Sequence, residues 1–143
     1  MRLISNSVNE TLNFGRKLAK KLKAGDIICL FGELGSGKTV LTKGIASGLG
    51  VRKGRIISPS FVLIREYSGG RLPVFHFDLY RINSLEDILG LGYEEYFYGN
   101  GVTIVEWADR LKSLLPEKFL KIELIFKGQT KRLLKISDEN TIH

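Results

Sequence analysis

The chain holds 143 residues, with 22 Lys+Arg against 15 Asp+Glu and a formal net charge of +7. That length fits one domain able to bury roughly 68–70% of its unfolded surface, and 43% hydrophobic with 26% charged residues excludes a disordered chain. The longest apolar runs, such as Ile27–Phe31, fall far short of the ~20 residues of a membrane span, and the amino terminus lacks a signal-peptide stretch. One Cys and two His offer neither an internal disulfide nor a zinc pattern, so the expectation is a reduced, cytoplasmic protein without membrane contact.

Ser7-Val8-Asn9-Glu10 has the form of a capping box opening a helix. The segment after it sets Leu12, Ala19 and Leu22 on one face, with Arg16, Lys17, Lys20, Lys21 and Lys23 largely off that face as a solvated basic stripe. Lys23-Ala24-Gly25-Asp26 reads as a turn. Ile27–Phe31 is short, bounded and apolar on both faces, the pattern of a buried parallel strand. After a glycine-rich loop, Lys38 to Leu49 reads as a helix with Gly48 and Gly50 as stop signals.

Phe61 to Tyr67 and Leu72 to Phe77 read as a hairpin joined through Ser68-Gly69-Gly70. Ser84-Leu85-Glu86-Asp87 opens a helix predicted to run to about Phe97. Asn100-Gly101 turns into a second buried strand, Val102 to Val105, and a helix from Ala108 to Leu115 is stopped by Pro116. Leu120 to Phe126 and Arg132 to Ile136 make a second strand pair. Strands alternating with helices imply a layered α/β sheet, mainly parallel, with antiparallel members from the two pairs. Glycine is in excess, 16 of 143 residues or about 11% against a usual 7%, so many positions require positive φ or close backbone approach.

The strongest chemical signal is Gly32-Glu33-Leu34-Gly35-Ser36-Gly37-Lys38-Thr39, a full match to the phosphate-loop pattern between a buried strand and a helix. Its glycines let backbone amides turn inward around phosphate oxygens, and the helix amino terminus, with Val40 in its first turn, adds positive potential. Lys38 is expected to carry charge to the β and γ phosphates, and the Thr39 hydroxyl to ligate Mg²⁺. The fold class expected is therefore α/β, a P-loop NTPase-like three-layer sandwich with a mixed central sheet, in a single domain spanning 1–143.

The metal site also needs a carboxylate at the end of a neighbouring strand. Val74–Asp78 and Val102–Glu106 both end an apolar strand in an acid, and both acids would face the ligand crevice at the carboxyl edge of a parallel sheet. Asp78 and Glu106 are thus candidate metal ligands and, with Lys38, candidate catalytic residues; the sequence does not rank their roles. A guanine-specifying N-K-x-D is lacking, and Asp87-x-x-Gly90 falls inside a predicted helix, so ATP is favoured. His76, among strand residues, reads as a packed or hydrogen-bonded core histidine rather than a catalyst, and Cys29 as core. Trp107 reads either as an aromatic plug or as a lining of the site.

With these motifs, Ser58-Pro59-Ser60-Phe61, His76-Phe77-Asp78-Leu79-Tyr80-Arg81 and Glu106-Trp107, the chain resembles the TsaE (YjeE) family, ATPases of bacterial tRNA threonylcarbamoyladenosine synthesis. The resemblance runs essentially the whole length, with Ser60 standing where the family usually has Thr. It implies slow ATP hydrolysis alone and work with the TsaD and TsaB proteins on adenosine 37 of tRNA, tRNA being met indirectly. It also implies that Thr39 and Glu106 are the best Mg²⁺ ligands and Asp78 a further catalytic or switch acid. It places Thr11 near the adenine, and Lys131 or Arg132 of the last hairpin near the nucleotide. Two other classes stay open. A small-molecule or nucleotide kinase could use the same loop, although no arginine-rich lid is present. A non-enzymatic basic RNA-binding module would explain the charge, although no aromatic-basic RNA-recognition signature is present.

Overall fold

In the computed structural model, described for residues 1–33, 35–56, 63–82 and 84–140, one eight-stranded sheet is flanked by helices. The elements are β1 (Arg2–Ser5), α1 (Val8–Ala19), β2 (Ile27–Phe31), α2 (Lys38–Gly48), β3 (Lys53–Ile56), β4 (Leu63–Ser68), β5 (Val74–Asp78), α3 (Glu86–Leu89), α4 (Tyr93–Phe97), β6 (Val102–Glu106), a 3₁₀ helix (Ala108–Leu114), β7 (Lys118–Phe126) and β8 (Arg132–Asn140). Strand order is β1-β8-β7-β2-β6-β5-β4-β3. The central strands β7, β2, β6 and β5 run parallel. Antiparallel strands extend both sides: β8 and β1 beyond β7, β4 and β3 beyond β5.

The apolar runs fix the centre. Four residues of β2 and all five of β6 are buried, which only strands covered on both faces can satisfy. Period-two alternation splits their side chains between two cores. Ile28, Leu30, Val102 and Ile104 pack with Leu41, Ile45 and Leu49 of α2 and its flank. Ile27, Cys29, Phe77 and Val105 pack on the opposite face with Ile88, Phe97, Ala108 and Leu111. The result is the expected three-layer arrangement.

Close backbone approach, as well as positive φ, explains the glycine excess. A Cβ on Gly44 would lie 2.5 Å from the Leu12 carbonyl oxygen, and one on Gly15 2.8 Å from the Ile45 nitrogen. Helices α1 and α2 therefore touch backbone to backbone, and a larger residue would wedge them apart.

Several expectations change in detail. Ser7 caps α1 and accepts from the Glu10 amide at 3.1 Å, but the Glu10 carboxylate reaches the Asn6 amide rather than that of Ser7. The helix predicted from Ser84 to Phe97 is two short helices, because Gly92 adopts φ +66° between them. The segment before Pro116 is 3₁₀, interrupted where Lys112 takes φ 50°. Strands β1 and β3 were not expected; both sit at sheet edges and lack an apolar alternation long enough to read. Leu34, Phe61, Val62 and the Ser58-Pro59-Ser60-Phe61 motif lie outside the described residues.

Candidate functional site

The loop between β2 and α2 lies at the carboxyl edge of the parallel strands, as the motif requires. Gly32, Gly35 and Gly37 hold φ of +151°, +80° and +104°, values that a side chain disfavours. At Gly32 space also forbids one, since a Cβ would meet Ser36 Oγ at 2.6 Å and the Leu124 carbonyl oxygen at 2.7 Å. Ser36 is buried with a hydroxyl that has no partner among the described residues, and Glu33 is exposed beside it. Val40 is half-buried in the first turn of α2.

Lys38 is buried, and its ammonium donates to the carbonyls of Gly32 at 2.5 Å and Glu33 at 2.9 Å. It also stands 4.1 Å from the centre of the Trp107 ring, a cation–π contact that partly replaces lost hydration. Burial pushes the Lys38 ammonium below the usual lysine value, while Glu106, Asp109 and Asp78 pull it back up. A buried ammonium beside loop glycines at positive φ is suited to a phosphate chain.

Glu106 ends β6, is 4% exposed, and accepts from Thr39 Oγ1 at 3.0 Å through Oε1. Its other oxygen, Oε2, contacts Nε2 of buried His76. Burial pushes the Glu106 carboxyl up. The His76 hydrogen bond and charge, the Thr39 hydroxyl and the Lys38 ammonium together outweigh it and leave the group below its ordinary value. Asp78 is in register with Glu106 on the adjacent strand, and its Oδ1 accepts from the Tyr80 amide at 3.0 Å.

The arrangement fits a magnesium ion on the chemistry of its donors. Thr39 and Glu106 present hard oxygens 3.0 Å apart. Mg²⁺ characteristically takes one or two protein oxygens and completes its shell with phosphates and water.

Three more of the expected residues are placed as follows. Arg132, at the start of β8, crosses to the loop and donates to the carbonyls of Ser36 at 3.1 Å and Gly35 at 3.3 Å, its guanidinium stacked 4.0 Å over Phe126. Thr11 is buried in the first turn of α1 with its hydroxyl 2.6 Å from that of Ser5. Trp107 adopts φ 60° and lines the site on Lys38, its ring 5.0 Å from that of Tyr80. His76 is the buried, hydrogen-bonded strand histidine that its place in an apolar run predicts, though its partner Glu106 could not be read from sequence. Asp109 escaped sequence reasoning, sitting just beyond Glu106-Trp107 in a segment read only as a helix.

A larger groove of about 1170 Å³ opens at the other end of the sheet, lined by residues such as Phe14, Leu18, Leu22 and Lys118. It holds none of the converging groups described above.

Comparison with known proteins places the chain in a family. The family model for "Threonylcarbamoyl adenosine biosynthesis protein TsaE" matches residues 5–134. The tRNA threonylcarbamoyladenosine biosynthesis protein TsaE of Treponema pallidum is 42% identical over 124 residues, 87% of this chain and 90% of that protein. Its Bacillus subtilis counterpart is 44% identical over 124 residues, covering 86% and 76%. The TsaE of Rickettsia typhi is 38% identical over 135 residues, covering 94% and 93%. The crystal structure of Bacillus subtilis YdiB superposes with a TM-score of 0.81 at 36% identity, over 98% of this chain and 85% of that one.

Proposed function

The chain belongs to the TsaE family and so is a tRNA threonylcarbamoyladenosine biosynthesis protein, and we propose that its part in that process is to bind and hydrolyse ATP with Mg²⁺. The observation that carries the reading is the Thr39–Glu106 contact at 3.0 Å beside the buried Lys38 ammonium. It joins the two halves of a phosphate-and-metal site on separate elements.

Each residue then has a task. The loop amides of residues 32–37 and Lys38 hold the phosphate chain. Thr39 and Glu106 hold the metal, which supplies charge neutralisation to the phosphates when bound. Asp78, beside Glu106 in register, orients a water for in-line attack. The water oxygen bonds the γ phosphorus, the bond to the β-phosphate oxygen breaks, and ADP, phosphate and a proton leave. Arg132 holds the loop carbonyls away from the anion, Trp107 covers Lys38, and Thr11 is assigned near the adenine by family likeness.

The protein works in the cytoplasm with TsaD and TsaB, meeting tRNA through them. Among the described residues no helix is long and apolar enough to cross a membrane. The test is ATP hydrolysis with and without TsaD–TsaB. Slow turnover alone and a marked rise in the complex are expected, since a partner-supplied arginine is worth about 10³–10⁵ in such enzymes. Equal rates would contradict the partnership. Transfer of the γ phosphate to a small acceptor would favour a kinase, and tight salt-dependent RNA binding without nucleotide a binding module.

A further inference from the structure

We propose that His76 is a positioning residue that clamps Glu106, fixing one carboxylate oxygen so that the other faces Thr39 and the metal. The proposal rests on the magnesium reading above and deepens it. Strand β5 runs parallel to β6 with His76 opposite Ile104 and Asp78 opposite Glu106. Alternation therefore puts His76 and Glu106 on the same face of the sheet, two residues apart along the strands. His76 Nε2 meets Glu106 Oε2, and Thr39 Oγ1 meets Oε1. The carboxylate is held at both ends, by β5 on one side and by α2 on the other.

Packing alone does not account for this histidine. The ring is 4% exposed, and its Nδ1 is buried with no partner among the described residues. An apolar residue in that place would stack on Tyr67 as well and bury no orphaned nitrogen, so the imidazole brings a cost that the bond from its other nitrogen offsets. An ionised carboxylate only accepts hydrogen bonds, so Nε2 must carry the proton. Partners of this kind orient metal ligands, and their loss typically weakens metal binding by about 10- to 100-fold.

The full-length protein, held in excess over ATP so that no free nucleotide chelates the metal, is titrated with Mn²⁺ and followed by the paramagnetic resonance of free Mn²⁺. His76→Phe, which keeps the ring volume but removes the donor, should weaken Mn²⁺ by about 10- to 100-fold, while ATP affinity in EDTA stays within about twofold. His76→Gln returns a donor at similar reach and should restore Mn²⁺ binding to within about threefold of the parent. Unchanged Mn²⁺ affinity in His76→Phe overturns the clamp. So does a folded His76→Gln variant as weak as His76→Phe.

A second readout needs neither nucleotide nor metal. Ring-nitrogen NMR of the free protein, assigned by the loss of signal in His76→Gln, should show His76 protonated at Nε2. Protonation at Nδ1 alone overturns the clamp. If the parent protein binds no Mn²⁺ with ATP, the magnesium reading falls, and the ring-nitrogen result alone decides the clamp.

Discussion

Gly44→Ala tests the backbone contact that seats the phosphate-loop helix. The new Cβ would lie 2.5 Å from the Leu12 oxygen, 3.0 Å from its Cα and 3.1 Å from its carbonyl carbon. All three are backbone atoms, so no side-chain rotation relieves the clash and α1 must move from α2. Overpacking of this kind costs about 1–3 kcal/mol, and a rigid backbone neighbour puts it in the upper half of that range. Ala returns about 1 kcal/mol of helix propensity over Gly. The net loss is about 1–2 kcal/mol, or a fall in Tm of roughly 3–8 °C for a chain of this size. Urea unfolding followed by circular dichroism and by Trp107 fluorescence measures it. Lys43→Ala, at an exposed position of the same helix, is the control, expected within about 0.5 kcal/mol of the parent. A Gly44→Ala protein as stable as the parent would refute the close-packing argument.

Two further outcomes concern the loop and the core. Arg132→Ala removes the bonds to Ser36 and Gly35; discounted for partial exposure, these are worth about 1–2 kcal/mol. ATP affinity by calorimetry should then fall roughly 5- to 30-fold. Arg132→Lys should not restore it, because the two carbonyls need a planar fork; unchanged affinity in Arg132→Ala would contradict the latch. Burial pushes the Cys29 thiol up to about 12, so native protein at pH 9 should resist iodoacetamide and react once unfolded in urea. Because the folded thiol binds its proton more tightly than the unfolded one, this group stabilises less as pH rises above the unfolded thiol value. Rapid native alkylation would show that Cys29 is not sealed in the core.

What could be read in advance divides along physical lines. The phosphate loop, Ile27–Phe31 and the strand ending in Glu106 were legible because they combine strong periodicity with residues that only that geometry needs. The break between α3 and α4 was not, because Glu and Leu favour helix locally while Gly92 takes a left-handed φ. His76 was read as core for a sound reason, its place in an apolar strand. Its role appears only when register brings β5 beside β6, information that lies between segments rather than within one. Arg132 likewise reaches a loop 96 residues away in sequence. The glycine excess could be counted, but only the structure shows that Gly15 and Gly44 serve helix contact rather than turns.

The central claim is that one site on this chain holds a nucleoside triphosphate through Lys38 and its metal through Thr39 and Glu106. Calorimetric titration of ATP, with Mg²⁺ and with EDTA, tests it most directly in the parent, Lys38→Ala and Glu106→Ala proteins. The account predicts that Lys38→Ala loses ATP binding in both conditions. Glu106→Ala should bind ATP in EDTA as the parent does but lose the gain that Mg²⁺ confers. A Lys38→Ala protein that binds ATP as tightly as the parent, or a Glu106→Ala protein with the full Mg²⁺ gain, would contradict it.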